Sequence, residues 1–384
     1  MTLLTISYSE FEGEDRQWQL APVDVDPKAM LIVGTNTTGK SRFLAILRSL
    51  TQSIAALRVP ADGKFTVTVK LKSGIFKYEL LVSKQAVIKE HLTLNNQILL
   101  DRSRGLPTKL KFEKQNEVIE SQFQDNVLAV ASRQDSFQHP WFIEFAEWAR
   151  KTAYYSFAVG FSAEYVMTTP DLVRLSKETS DNTGAAQIRN DAIGTYARAF
   201  TKFDSKFDKA VISDMRSLGF LITEVGIGPI HELMPEIGMD LVMLYIKEEG
   251  VVAKIPQTIM SQGLFRALAL IISLNSQLLG NEGSLILIDD VGEGLDFERS
   301  SALIKLLLEK STEHSVQILM TTNDRFVMNN VPVESWCILQ RRGSEVSSFT
   351  IASHKKMFED FKYSGLSNFD FFRSHAFVEH EFQE

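Results

Sequence analysis

The chain has 384 residues, of which 44% are hydrophobic and 23% charged, and this ordinary globular composition excludes a disordered tail, a collagen-like repeat and a pure coiled coil. Its formal net charge is −7, so the surface as a whole is unsuited to coating nucleic acid non-specifically. A single cysteine, Cys337, excludes an internal disulfide and a cysteine-rich zinc module.

No apolar run reaches the roughly 20 residues that a membrane-spanning helix needs. The first residues also lack a basic leader followed by a long apolar region. We therefore expect a soluble cytoplasmic protein with no membrane partner.

The first predicted elements are two strands and a helix that surround a glycine-rich loop. Residues 3–8 and 30–33 are predicted strands, the second being a continuous apolar run typical of a buried parallel strand. Apolar residues at helical spacing then run from Phe43 to Ile54. The loop between them, residues 34–41, reads Gly-Thr-Asn-Thr-Thr-Gly-Lys-Ser and fits the P-loop pattern in full.

A P-loop binds phosphate because its backbone N–H groups point inward at the positive end of the following helix. Lys40 is expected to reach the β- and γ-phosphates of ATP, and the Ser41 hydroxyl to bind Mg²⁺. The candidate nucleotide-binding residues are Gly34, Thr35, Asn36, Thr37, Thr38, Gly39, Lys40, Ser41 and Arg42.

Residues 63–100 alternate as strands do, with Ser73-Gly74 as a turn, and predict an antiparallel sheet. Segment 62–114 holds eleven basic and five acidic residues, which makes it the one part of the chain suited to a polyanion. We favour the simpler interpretation, in which these lysines are solvated on the outer face of the sheet. Nucleic acid remains a candidate partner of this segment.

Two further helices are predicted over residues 138–150 and 186–218, the second interrupted near Gly194. The apolar runs 285–288 and 317–320 are predicted strands. Neither helical segment has the sustained heptads of a coiled-coil arm.

Two acids directly follow the first of these apolar strands. A P-loop needs a carboxylate at the carboxyl end of a neighbouring strand to hold magnesium. Asp289 fits that position, and Asp290 is placed to polarise the attacking water.

Three more segments resemble the motifs of the ABC-type ATPase domain. Residues 260–266 read Met-Ser-Gln-Gly-Leu-Phe-Arg before an apolar helix and match its signature, in which Ser261, Gln262 and Gly263 would contact nucleotide held by a second copy. Residues 294–296 match the D-loop with Asp296, and Asn323 stands at the switch position. The resemblance implies an α/β fold, namely an ABC-type P-loop ATPase head with an antiparallel β lobe and a helical insert.

The details are most similar to the stand-alone SMC- and RecF-like prokaryotic ATPases. The resemblance implies a head that begins in residues 1–120, is interrupted by a helical insert over 121–245, and resumes over 246–350. Residues 351–384 form an aromatic C-terminal extension, for which we favour packing against the core over partner docking.

Two residues depart from the family pattern. Asp290 stands where the family has a catalytic Glu, and Asn323 stands where it has a histidine. Asparagine cannot take up a proton near neutral pH. With Lys40, these residues form the expected catalytic set, and we expect slow hydrolysis. The glutamine of the Q-loop is not fixed by the sequence; Gln134 is one candidate, and Gln122 and Gln124 are weaker ones.

The resemblance also implies self-association, because ATP·Mg²⁺ held by Lys40, Ser41 and Asp289 of one copy is closed over by the signature of another. Many such ATPases belong to phage-defence systems such as PARIS, Septu and retron-associated modules, where they work with a separately encoded nuclease or toxin. We therefore expect a regulator of such an effector that responds to a phage-derived trigger. The alternatives are a RecF- or SMC-like DNA-repair ATPase and, less favoured, the energy module of a transporter. Since the seven histidines are scattered, we do not expect an intrinsic nuclease.

Overall fold

The computed structural model describes residues 1–112, 117–157, 163–177, 191–233, 241–280, 284–314, 316–362 and 364–374. The described residues of 1–154, 283–287 and 316–384 form one compact unit, and those of 155–282 and 288–315 form another. Among the described residues, no helix is long and apolar enough to cross a membrane.

The strands of both units, numbered in chain order, are β1 Thr2–Glu10, β2 Trp18–Asp24, β3 Ala29–Val33, β4 Gly63–Lys70, β5 Ile75–Ser83, β6 Ala86–Leu94, β7 Gln97–Ser103, β8 Thr108–Lys111, β9 Val118–Ser121, β10 Thr152–Ser156, β11 Met167–Thr168, β12 Ile222–Pro229, β13 Leu241–Glu248, β14 Ile255–Pro256, β15 Ser284–Asp289, β16 Val316–Thr321, β17 Trp336–Arg342 and β18 Glu345–Thr350.

The α-helices are α1 Lys40–Ala55, α2 Ala129–Ser132, α3 Pro140–Arg150, α4 Thr169–Lys177, α5 Ala192–Phe203, α6 Ser205–Ser217, α7 Ile230–Leu233, α8 Gln262–Leu278, α9 Phe297–Glu313, α10 Arg325–Asn330, α11 Lys355–Lys362 and α12 Asn368–Ser374. Short 3-10 turns cover Gln257–Ile259 and Val333–Ser335.

Fourteen of the described strands form one mixed sheet, in the order β10-β15-β16-β3-β17-β18-β2-β1-β4-β5-β6-β7-β8-β9. Strand β3 lies between β16 and β17 and is parallel to both. All five of its residues are buried, which is why its sequence is a continuous apolar run instead of an alternating one. The predicted strands at 3–8, 30–33, 285–288 and 317–320 are confirmed within one or two residues at each end.

The predicted antiparallel sheet of residues 63–100 is also confirmed. Strands β4 to β9 pair successively in antiparallel register, and the amide N–H of Leu71 donates to the Gly74 carbonyl at the predicted turn. One face of this lobe is buried by alternating residues, among them Phe65, Val67 and Val69 of β4. Exposed strand positions of the lobe carry basic residues, among them Lys64 and Lys70 of β4.

The second unit contains α-helices and a smaller antiparallel sheet, β11-β13-β12, with β14 paired to β13. The helical prediction for residues 186–218 is confirmed for α5 and α6, while residues 186–190 lie outside the described residues. The interruption lies at Asp204, not near Gly194. Asp204 has a φ of +50°, whereas Gly194 lies in the first turn of α5, where its amide N–H donates to the Asp191 side chain. Strand β12 and the first residues of β13 lie within segment 121–245, for which the resemblance implied a helical insert.

The aromatic residues near the C-terminus pack against one another. Phe358, Phe361 and Phe371 are buried, and the ring centroids of the last two are 4.2 Å apart. Within the predicted extension, residue 363 and residues 375–384 lie outside the described residues.

Candidate functional site

The glycine-rich loop joins the buried end of β3 to the first residue of α1. Gly39, which precedes the helix, has a φ of +104°, a conformation that L-residues with a side chain rarely adopt. A Cβ atom at Gly39 would lie 2.9 Å from Cζ2 of the Trp18 ring, and one at Gly34 would lie 2.5 Å from Oγ1 of Thr38. Both glycines are therefore required by backbone conformation or close approach.

Lys40 folds back across the loop from the start of α1. Its Nζ donates to the Gly34 carbonyl at 2.8 Å and to the Thr35 carbonyl at 3.3 Å. The side chain is buried, although a lysine is seldom buried unless its charge is partnered. The sequence therefore places a fixed positive charge inside the curve of the loop.

The other predicted residues of the loop differ in their accessibility. Thr35, Asn36 and Thr37 are exposed, as is Ser41 in the first turn of α1. Thr38 is buried, and its hydroxyl donates to the Thr35 carbonyl at 2.9 Å.

Arg42, a predicted nucleotide-binding residue, is held by side chains that the sequence did not connect with the loop. Its guanidinium forms an ion pair with Glu10 and lies over the Trp18 ring, 4.3 Å from its centroid. The Tyr8 hydroxyl donates to the same Glu10 carboxylate at 2.6 Å, and burial raises the pKa of Tyr8 to about 12. Burial has the opposite effect on Arg42 and lowers its pKa.

Arg341, at the end of β17, is a second residue that sequence reasoning missed. Its Nη1 donates to the Thr37 carbonyl at 3.4 Å, and its Nε donates to the Gly343 carbonyl at 2.9 Å. No local signal identifies it, because it is separated from Thr37 by 304 positions in the chain.

The predicted switch residue lies at the same edge of the sheet as the loop. Strand β16 is parallel to β3, with Thr321 paired to Ile32. Both strands therefore end at the same edge, where β3 leads into Gly34 and β16 leads into Asn323. The Asn323 side chain is exposed.

The two predicted acids at the end of β15 differ in environment. Asp289 is buried, and its carbonyl accepts from the Phe157 N–H at 3.0 Å. Asp290 is partly exposed and has a φ of +53°. Asp and Asn tolerate this left-handed conformation better than Glu does, which gives a physical reason for an aspartate at this position.

The predicted signature and D-loop segments contact each other within the second unit. Ser261 caps α8 by accepting from the Leu264 N–H at 3.3 Å. A Cβ atom at Gly263 would lie 2.4 Å from the Gly294 carbonyl oxygen. The Arg266 guanidinium donates to the Glu293 carbonyl at 3.4 Å, so the first turn of α8 is seated on the loop before α9. Gln262 is exposed.

Asp296, the predicted D-loop residue, is the N-cap of α9. Its carboxylate accepts from the Arg299 N–H at 2.9 Å and forms an ion pair with the Arg299 guanidinium at 2.6 Å. The hydrogen bond from the Arg299 backbone N–H is the largest of the influences that hold the pKa of Asp296 below its usual range, and the bond from the Arg299 guanidinium adds to it.

Among the Q-loop candidates, Gln134 has a defined structural environment. Its amide donates to the Ala131 carbonyl at 2.9 Å and accepts from Arg150 at 3.1 Å. Gln122 and Gln124 are exposed. The Q-loop assignment stays a prediction.

The residues of the loop fit a triphosphate with Mg²⁺. The loop leaves no room for a Cβ atom at Gly34 or Gly39. The buried Lys40 supplies positive charge, and Ser41 supplies a hydroxyl ligand. Across the described part of the chain, no group of three or more His, Cys, Asp or Glu side chains could hold a metal ion.

No protein-family model and no curated protein matches the sequence. Solved structures do match. An SMC head bound to the C-terminal winged-helix domain of ScpA aligns with a TM-score of 0.51 at 11% identity, over 93% of this chain and 100% of that one. An SMC head from Pyrococcus furiosus, bound to the C-terminal domain of ScpA, aligns with a TM-score of 0.49 at 11% identity, over 94% of this chain and 99% of that one.

A third structure is the CbiO1 protein of Clostridium perfringens, part of an ABC transporter complex, with a TM-score of 0.39 at 11% identity over 94% of each chain. At these identities the similarity concerns the fold alone. The fold assignment rests on the first alignment. The chain has the α/β fold of an SMC head, which is an ABC-type P-loop ATPase fold.

Proposed function

We propose that this protein binds ATP with Mg²⁺ and hydrolyses it slowly. The observation that carries this proposal is the phosphate loop, in which the buried Lys40 ammonium lies 2.8 Å from the Gly34 carbonyl while Gly39 holds a left-handed turn at the start of α1. Lys40 binds the β- and γ-phosphates, and Ser41 and Asp289 hold the ion. Bound Mg²⁺ neutralises charge that develops on the phosphates.

Nucleotide binding is tested with a fluorescent ATP analogue in the presence of Mg²⁺. We expect Lys40→Ala to weaken binding at least about tenfold, because a charge-assisted phosphate contact is lost. Lys64→Ala, at an exposed lysine of β4, is the matched control and should bind as the wild type does. Equal affinity of Lys40→Ala and wild type would contradict the proposal.

Asp290 is proposed to polarise the attacking water, and Asn323 to hydrogen-bond the γ-phosphate. A shorter carboxylate sits back from the water, so general-base assistance of about 10²–10⁴-fold is largely lost. If Asp290 acts in this way, Asp290→Asn should reduce single-turnover hydrolysis further while leaving ATP affinity within about twofold. Unchanged hydrolysis in Asp290→Asn would remove Asp290 from the catalytic set.

We further propose that two copies assemble around nucleotide. Ser261, Gln262 and Gly263 of one copy, at the start of α8, contact the nucleotide held by the phosphate loop of the other. Asp296 lies at the start of α9, whose preceding loop packs against Gly263. The capped, serine-led helix N-terminus supports this role, because such a turn presents N–H groups to an anion.

The biological role we propose is regulation of a prokaryotic anti-phage system, in which nucleotide-dependent assembly holds or releases a separate nuclease or toxin. The support is the resemblance of the motifs to stand-alone SMC-like defence ATPases. Co-expression with the products of neighbouring genes tests it. An effector that is toxic only on infection, and only with intact Lys40, is the expected result.

The second candidate function is a DNA-repair ATPase, and it is favoured by the outer face of the β lobe. Seven lysines of this region are exposed: Lys64, Lys70, Lys72, Lys77, Lys84, Lys89 and Lys109. Other basic residues of the segment differ in their surroundings. Arg102 is buried in an ion pair with Glu90, Arg104 pairs with Asp125, and Lys114 lies outside the described residues.

DNA binding is tested by titrating duplex DNA at several salt concentrations. If the lysine face is the binding surface, replacing Lys64, Lys70 and Lys109 by Gln should weaken binding and flatten its salt dependence. Binding that is absent at low salt, or that is unchanged in this variant, would exclude this face.

A further inference from the structure

The second unit contains a cavity of about 450 Å³ that lies outside all the motifs described above. Helices α4, α5 and α6 and strands β12 and β13 contribute to its lining. The residues that define its chemistry are Val173, Tyr196, Phe200, Asp208, Glu224 and Tyr245. We call this cavity the aromatic–acidic pocket.

Flat aromatic faces form the walls of the pocket. Tyr196 and Phe200, one turn apart on α5, have ring planes within 7° of each other and centroids 5.9 Å apart. The Tyr245 ring of β13 lies against Gly226 of β12, where a Cβ atom would come within 2.7 Å of it. The glycine therefore lets the Tyr245 ring lie close to the strand.

Two carboxylates accompany these rings. Asp208 accepts from the Tyr196 hydroxyl at 2.6 Å, and that hydroxyl also lies 3.0 Å from the Val225 carbonyl oxygen. Glu224 accepts from the Tyr245 hydroxyl at 2.8 Å and pairs with Lys247 at 2.7 Å. Lys254 lies over the Tyr245 ring, 4.1 Å from its centroid.

The two carboxylates therefore differ in whether a nearby cation neutralises their charge. Lys247 neutralises Glu224, whereas the described residues place no cation in an ion pair with Asp208. A carboxylate beside aromatic rings and without a counter-ion is complementary to a cation that also has a flat or apolar surface. Partial burial raises the pKa of Asp208, as expected for a carboxylate whose ionised form lacks such a partner.

The rim of the pocket is apolar and exposed. Val173 is 43% exposed and Phe200 is 39% exposed. A small free cation that reached Asp208 would leave these rim side chains in water, whereas a polypeptide segment would cover them. The rim therefore favours a cationic side chain presented by a protein.

We propose that the aromatic–acidic pocket binds an arginine side chain of a partner protein, with the guanidinium paired to Asp208 and the flanking apolar residues covering Val173 and Phe200. Arginine suits the site better than lysine because its planar guanidinium stacks on aromatic rings and pairs with a carboxylate through two N–H donors. This proposal does not depend on ATP binding.

The test uses the full-length chain and three probes: the peptide acetyl-Leu-Arg-Leu-amide, the same peptide with citrulline in place of arginine, and free agmatine. Citrulline keeps the shape of arginine without its charge. Binding is measured by saturation-transfer NMR at constant salt. We expect the arginine peptide to bind at least about tenfold more tightly than the citrulline peptide, because the charge-assisted pairing is absent from the latter.

Three variants locate the site. Asp208→Asn should reduce affinity for the arginine peptide about tenfold or more, and Phe200→Ala, at a rim residue that is 39% exposed, should also reduce it. Glu249→Gln removes a carboxylate that pairs with Arg216 outside the pocket and should bind as wild type does. Melting temperatures check that each variant is folded.

Several outcomes would overturn the proposal. If the citrulline peptide binds as tightly as the arginine peptide, charge is not recognised. If Asp208→Asn and Phe200→Ala both bind as wild type, the binding site lies elsewhere. If agmatine binds as tightly as the peptide, the occupant is a small cation and not a protein side chain.

Discussion

At the scale of single residues, two glycines determine the shape of the phosphate loop. Gly39 combines a φ of +104° with an approach of 2.9 Å between a Cβ and the Trp18 ring, whereas Gly13 has a φ of +81° with open space around it. The two positions share a left-handed conformation but differ in their surroundings. Comparing substitutions at the two positions separates the cost of backbone strain from the cost of the contact with the Trp18 ring.

We predict that Gly39→Ala lowers the free energy of unfolding more than Gly13→Ala does. Left-handed backbone costs an L-residue about 1–2 kcal/mol at either position, and only at Gly39 does the new methyl group also meet a buried ring. Gly39→Ala should in addition weaken ATP binding at least about tenfold, because α1 can no longer begin at Lys40. Denaturant unfolding and nucleotide titration measure both effects; equal results for the two variants would refute the argument.

A buried ion pair is the second feature at this scale. Glu90 is fully buried and accepts from the N–H groups of Ala129 and Val130 at 2.8 and 3.0 Å. Arg102 donates to Glu90 at 3.3 Å and to the Val127 carbonyl at 2.7 Å. The pair therefore ties the start of α2 to strands β6 and β7.

We predict that Arg102→Met destabilises the protein by about 3–5 kcal/mol, because it leaves the Glu90 carboxylate buried without a cation. Arg104→Met, which breaks an exposed pair with Asp125, is the control and should cost less than about 1 kcal/mol. Adding Glu90→Gln to Arg102→Met should recover part of the loss. A cost below 1 kcal/mol for Arg102→Met would show that Glu90 is not charged in the folded protein.

At the scale of elements, two capped helices bring the predicted signature and D-loop segments into contact. Asp296 caps α9 and Ser261 caps α8, and the two helix starts meet through Gly263 and the Gly294 carbonyl. This contact needs a glycine because any side chain would displace the loop before α9. Ser261 and Asp296 were identified in the sequence as motif residues, but the contact between the two helix starts was not.

We predict a pH-dependent contribution of Asp296 to stability. Its pKa is lowered in the folded protein, so the stabilisation is present above the ordinary pKa of aspartate and is lost as the pH falls through the lowered value. Asp296→Asn keeps an N-cap but should lose this dependence, and Asp296→Ala should cost about 1 kcal/mol through loss of the cap. Thermal unfolding between neutral and acidic pH measures both; identical pH profiles for wild type and Asp296→Asn would contradict the prediction.

At the scale of the whole molecule, the proposed composite sites make assembly depend on nucleotide. The phosphate loop belongs to the first compact unit, while the signature segment belongs to the second. Under the proposal, the free energy of ATP binding is expressed as association of two copies.

We predict that Asp290→Asn, mixed with ATP and Mg²⁺, doubles in mass by light scattering, because hydrolysis no longer removes the bridging phosphate. Lys40→Ala should remain at the nucleotide-free mass, and Ser261→Ala together with Gln262→Ala should bind ATP but associate more weakly. If Asp290→Asn keeps one mass with and without ATP, nucleotide-bridged assembly is wrong.

What the sequence determined by itself was local. The apolar run of β3, the phosphate loop, the helical spacing of α1 and the acids after β15 are all patterns within a few residues, and short-range backbone geometry sets them. The alternation that predicted the β lobe is likewise a local property of strands. These patterns indicated a P-loop protein, and the resemblance of residues 260–266 and 294–296 to the signature and D-loop supplied the ABC-type assignment.

Only the tertiary structure decided which distant side chains meet. It brought Arg341 to Thr37 across 304 positions, placed Trp18 against Gly39, and buried Arg102 beside Glu90 in a segment that has an excess of basic residues. It also gave Asp290 its left-handed backbone and assembled the aromatic–acidic pocket from five elements. Such contacts arise from packing between elements, and side-chain periodicity along the chain carries no information about them.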